Sequence, residues 1–159
     1  MKAAGISDIK KELEHLSQKE VLDLCVALAK YKKDNKEYLG YLLFEAHDKN
    51  QFVKEIKEEI DANFEALRSQ SNLYYIKKSL RKILRILSKY AKYTDDKGLT
   101  AELYIYFCLK LKQSGIPYHK SQMIINIMEG TLKKINTLIS TLHPDLQNDF
   151  LIDLDKIIN

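Results

Sequence analysis

The chain has 159 residues, of which 45% are hydrophobic and 30% charged, with a net charge of +4. These values exclude a disordered polyelectrolyte and fit one domain, residues 1–159, with a core of its own. Two cysteines are too few for a disulfide scaffold. The longest apolar run, Leu103 to Leu109, has seven residues and is far short of a membrane span.

In chain order, the first predicted helix runs from Ser7 to about His15. Ser17 and Glu20 have the spacing of a capping box, in which each side chain satisfies the other residue's backbone N–H. It opens a second helix to about Lys33 with Val21, Leu24, Leu28 and Tyr31 on one face. Asp34 or Asn35 is expected to cap a third helix through His47. Asp48 with Gln51 resembles another box, opening a fourth helix to about Ser69 that buries Val53, Ile56, Ile60, Phe64 and Leu67. Ser71 or Asn72 starts a fifth helix ending near Tyr93. After the turn at residues 94–98, a sixth helix from about Thr100 to Gln113 is apolar nearly all round, so it is expected to be central.

Gly115 and Pro117 end that helix. A seventh, from about Lys120 to Leu142, carries Ile124, Met128, Ile135, Leu138 and Leu142 at helical spacing, and Gly130 inside it suggests a bend or a close helix contact. Pro144 opens an eighth helix with Leu146, Phe150, Leu154 and Ile157 inward. No segment alternates with period two. The predicted fold is all-α: seven to eight antiparallel helices, as an irregular bundle or a short helical-repeat (HEAT-like) stack. Short strings recur about 60 residues apart, Leu28–Tyr31 with Leu87–Tyr90 and Tyr41–Phe44 with Tyr104–Phe107, as helical repeats would require.

Charge is segregated. Residues 1–65 carry a net −3 and residues 95–159 a net −1, whereas from Ala66 to Thr94 there are eight basic residues and no acidic one. Seven of these lie on the fifth helix: Lys77, Lys78, Arg81, Lys82, Arg85, Lys89 and Lys92. Residues 77, 81, 85 and 89 line a single helical face, opposite Leu73, Ile76, Leu80, Ile83, Leu84, Leu87 and Ala91. An acidic surface is expected to meet this face. It is a partner protein, a nucleic acid, or the protein's own Asp145, Asp149 and Asp153, which share a face of the last helix. Glu55, Glu58, Glu59 and Asp61 of the fourth helix are a second internal source. Tyr74, Tyr75, Tyr90 and Tyr93 flank the stripe, where they could stack on bases or bury their rings at helix contacts.

Catalytic and metal signatures are sparse. Glu12 and His15 form one Glu-x-x-His, but no second copy exists to complete a carboxylate-bridged metal pair. His15, His47, His119 and His143 form no ligand-spaced pair, and Cys25 and Cys108, each within an apolar helical run, read as two buried thiols. No nucleophile elbow or Gly-rich phosphate loop occurs. These features predict no catalytic residue, no cofactor and no metal, and leave a hydrolase or metal enzyme as a low-weight alternative.

The strings Asn72-Leu-Tyr-Tyr-Ile-Lys-Lys-Ser-Leu-Arg-Lys-Ile-Leu-Arg85, Tyr104-Ile-Tyr-Phe107 and Thr141-Leu-His-Pro-Asp-Leu146 resemble a family of uncharacterised all-helical bacterial proteins. That resemblance implies an all-helical fold and no assigned activity. The sequence therefore predicts a cytoplasmic, non-catalytic interaction module, with homo-oligomers possible and no membrane partner, that docks an acidic partner through residues 72–93. Nucleic-acid binding by the same helix is the alternative.

Overall fold

The computed structural model describes residues 3–158, which are all-helical, with eight α-helices and no strand among the described residues. They form two compact units, residues 1–47 and 48–159.

The first unit holds α1 (Ile6–Glu14), α2 (Gln18–Tyr31) and α3 (Lys33–Gly40), continued by a π-helical turn, Tyr41–Glu45. The capping box forms as expected: Ser17 Oγ accepts from the Glu20 N–H at 3.4 Å, and the Ser17 N–H donates to the Glu20 carboxylate at 2.8 Å. The Ser17 hydroxyl, which donates to the Glu20 carboxylate at 2.6 Å, and after it the Ser17 N–H hold the exposed Glu20 carboxyl below its ordinary value. The start of α3 differs from expectation. Lys32 is its N-cap and makes no side-chain cap bond; Asp34 and Asn35 lie inside the helix. Asn35 instead donates from its amide to the Leu28 carbonyl at 2.9 Å, tying α3 to the end of α2. In the π turn the Ala46 N–H reaches the Tyr41 carbonyl, five residues back. Tyr41 is the one buried large apolar side chain among the described residues of this unit.

The second unit holds α4 (Lys49–Glu65), α5 (Leu73–Thr94), α6 (Lys97–Gln113), α7 (Gln122–Ile139) and α8 (Pro144–Ile158), with a 3₁₀ turn at Tyr118–Lys120. Side-chain caps explain three starts: Asp48 on the Gln51 N–H, Asn72 on the Tyr74 N–H and Asp96 on the Leu99 N–H. Asp95 ends α5 in the left-handed conformation, φ 47°, which Asp tolerates better than most residues. The central position of α6 is as expected. It packs against α4, α5, α7 and α8 and buries nine residues, with Phe107, Cys108, Ala101 and Leu111 fully enclosed.

Three packing expectations are corrected. On α4 the buried first-turn residue is Phe52, and Val53 is half-buried; the Phe52 ring meets Tyr90 edge-on at 5.4 Å. On α8, Leu154 and Ile157 are buried but Leu146 is exposed. Gly130 makes no close helix contact, since a Cβ there would meet nothing within 4 Å, and α7 continues as one helix through it. Of the recurring strings, Leu28–Tyr31 and Leu87–Tyr90 both lie in α-helix, in α2 and α5, but Tyr41–Phe44 lies in the π turn and Tyr104–Phe107 in the middle of α6.

Candidate functional site

The apolar stripe of α5 explains where its charges go. Ile76, Leu80, Ile83 and Leu87 are buried, so the helix is anchored along one side for its whole length. The residues between them must project outward. Lys78, Arg81, Lys82, Arg85 and Lys92 are exposed, while Lys77 and Lys89 are half-buried.

The sequence leaves open whether acidic groups of the chain cover this face. Among the described residues, Lys78, Arg81, Lys82, Arg85 and Lys92 form no ion pair. Lys77 turns its ammonium toward the Met123 sulfur at 3.7 Å and lies 5.0 Å from the centre of the Tyr74 ring. Lys89 sits 5.1 Å from the Tyr90 ring centre. Several of the internal anions are engaged elsewhere. On α8, Asp153 pairs with Lys156 at 2.7 Å and Asp145 faces His143 at 3.5 Å. Between α4 and α5, Tyr90 donates its hydroxyl to Glu59 at 2.9 Å. Asp61 pairs with Lys110 at 2.8 Å and accepts from the Tyr106 hydroxyl at 2.8 Å. That contact, with the carboxylate as its main cause, raises the Lys110 pKa; burial, with the same carboxylate, raises that of Tyr106. The pairing of the stripe with Asp145, Asp149 and Asp153 is therefore not found.

The exposed face is grooved. Tyr74, Lys77, Lys78, Arg81, Leu84 and Arg85 line a shallow depression of about 490 Å³. A second of about 390 Å³ shares Leu84 and Arg85 with it and runs on over Ser88 to Tyr104, Asn126, Ile127, Gly130, Thr131 and Lys134. Lys134 is a cation of α7 that sequence reading missed. Its ammonium donates to the Tyr104 hydroxyl at 2.6 Å. No periodicity within one helix links Lys134 to the α5 stripe, so only the packing of α7 brings them together. Gly130 helps leave this groove open.

The tyrosines divide by position. Tyr90 and Tyr93 are half-buried, with ring centres 6.1 Å apart. Tyr74 is 60% and Tyr75 52% exposed, edge-to-face with each other at 5.4 Å. Both thiols were expected to be buried; Cys108 is, and burial pushes its pKa up to about 12, but Cys25 is exposed. Glu12 and His15 are also exposed. No helix among the described residues is long and apolar enough to cross a membrane. No protein-family model, no curated protein and no solved structure matches this chain.

Proposed function

We propose that this protein is a non-catalytic interaction module whose α5 face docks an acidic protein segment. The observation that carries the reading is an unpaired row of cations, Lys78, Arg81 and Arg85, beside a groove with Leu84 and Tyr74 in its lining. Cations alone would suit any polyanion. An apolar strip between them suits a segment that presents carboxylates flanking an aliphatic or aromatic anchor. The charges steer and orient that segment, while the apolar contact contributes most of the affinity.

The second reading is nucleic-acid binding, favoured by the exposed rings of Tyr74 and Tyr75 at one end of the cation row. Fluorescence anisotropy of the full chain with two probes separates them. One probe is an acidic amphipathic peptide and the other a duplex DNA of mixed sequence. The peptide is expected to bind more tightly at physiological salt. Combined Lys78→Glu, Arg81→Glu and Arg85→Glu substitution should abolish that binding with the far-UV circular dichroism unchanged. Tighter binding of the duplex, with a log–log salt slope of roughly −3 to −5 for four to six phosphate contacts, establishes the nucleic-acid reading instead. Binding of neither probe removes both.

A further inference from the structure

The first unit has the opposite character from the basic face. Thirteen of its large apolar side chains are exposed, from Ile6 at 83% to Phe44 at 72%, while among the described residues of the unit Tyr41 alone of this kind is buried. The middle of α2 is apolar all round: Leu24, Cys25, Val26, Ala27, Leu28 and Ala29 are consecutive. Such a helix is stable in water only when covered on several sides. Here α3 covers one side, and the π turn beyond it directs Leu42, Leu43 and Phe44 outward. Between α2 and α3 lies an open groove of about 350 Å³, lined by Cys25, Leu28, Tyr38, Leu39 and Leu42 among others.

We propose that this unit pairs with the same unit of a second copy of the chain, the two α2–α3 grooves closing on each other with Cys25 inside. Three features select a second copy over an unrelated partner. The first is area: thirteen large apolar side chains exposed on one unit of 47 residues leave an apolar surface on the order of the ~800 Å² that each partner of a stable complex contributes. The second is charge: residues 1–47 carry eight basic and eight acidic residues, so two copies meet without net repulsion. The third is size: a unit of 47 residues is in the range where folds usually add a metal, disulfides or oligomerisation to bury enough surface, and the one cysteine here has no disulfide partner. The pairing uses a surface apart from the α5 face and does not rest on the function proposed for it.

The test joins oligomeric state to the reactivity of one thiol. Cys108 is buried, so a maleimide added to the native protein reports on Cys25. Sedimentation velocity of the full chain should give twice the chain mass at about 100 μM and dissociation toward about 1 μM, as for a micromolar dimer. Over the same range, Cys25 labelling should be at least tenfold slower in the dimer, because burial withholds the thiol. Leu42→Asp, on the far wall of the groove from Cys25, should restore fast labelling and the monomer mass. If that variant loses helicity, Leu28→Asp provides the same measurement from the other wall. Leu151→Asp on α8 should change neither. A monomer at every concentration overturns the proposal, as does a dimer whose Cys25 reacts at the monomer rate. A monomer with slow Cys25 labelling also overturns it, by assigning the cover to the chain itself.

Discussion

Asp96 carries three interactions on one residue. Its carboxylate accepts from the Leu99 N–H at 3.0 Å and from Lys49 at 3.0 Å, and its carbonyl accepts from the Thr100 hydroxyl at 2.6 Å. The cap thus joins the start of α6 to the start of α4. The Leu99 N–H is the main cause that holds the carboxyl below its ordinary 3.8, against partial burial. A lowered folded-state value means stabilisation that is full above the unfolded pKa, near 3.9, and is lost as pH falls through the folded one. Asp96→Ala should therefore cost about 1 kcal/mol at pH 7 in urea denaturation, the usual worth of an N-cap. At pH 2 to 3 the cost should shrink. Asp96→Asn should retain most of the cap at pH 7 but lose the pH dependence. An Asp96→Ala cost that is the same at both pH values would show that the charge contributes nothing.

At the scale of the element, α5 is a helix with two independent faces. Leu80 is fully enclosed, whereas Arg81, its neighbour in sequence, is exposed. Leu80→Ala should destabilise the second unit by roughly 2–5 kcal/mol in urea denaturation, the sum of lost transfer and a residual cavity. Arg81→Ala should stay within about 0.5 kcal/mol, because its head meets solvent and no carboxylate. A large effect of Arg81→Ala would mean that the charge is engaged, against the open face on which the functional proposal rests. The faces of α5 were legible in its sequence because 22 regular residues give the 3.6-residue period room to declare itself. Shorter or less regular elements were less legible. Val53 and Phe52 are adjacent at the start of α4, and choosing between them needed to know that Tyr90 waits across the interface.

Over the whole molecule, the two units differ in how much each buries. Residues 48–159 hold every fully enclosed large side chain of the described core. Produced alone, they should retain a cooperative urea transition and a protected Cys108, since none of the core residues of α4 to α8 lies in the first unit. A non-cooperative transition would show that the second unit depends on residues 1–47. If the first unit pairs as proposed, the assembly presents two α5 faces. A partner bearing two acidic segments should then bind more tightly than either segment alone, through effective concentration.

By itself the sequence determined the helical class, most helix starts, the central place of α6 and the composition of the α5 face. Caps are encoded within three or four residues, and amphipathic stripes within two turns, so both can be read locally. Only the tertiary structure decided what each charged or apolar face meets. Asp145 and Asp153 share a spacing that matches the α5 cations, yet they bond within their own helix and turn. Cys25 and Cys108 sit in equally apolar runs, but the helices around α6 enclose Cys108, while Cys25 stays exposed. Lys134 joins the basic groove only because α7 packs beside α5. Burial and pairing are properties of neighbours distant in the chain, and helical periodicity gives the direction of a side chain without naming what stands opposite.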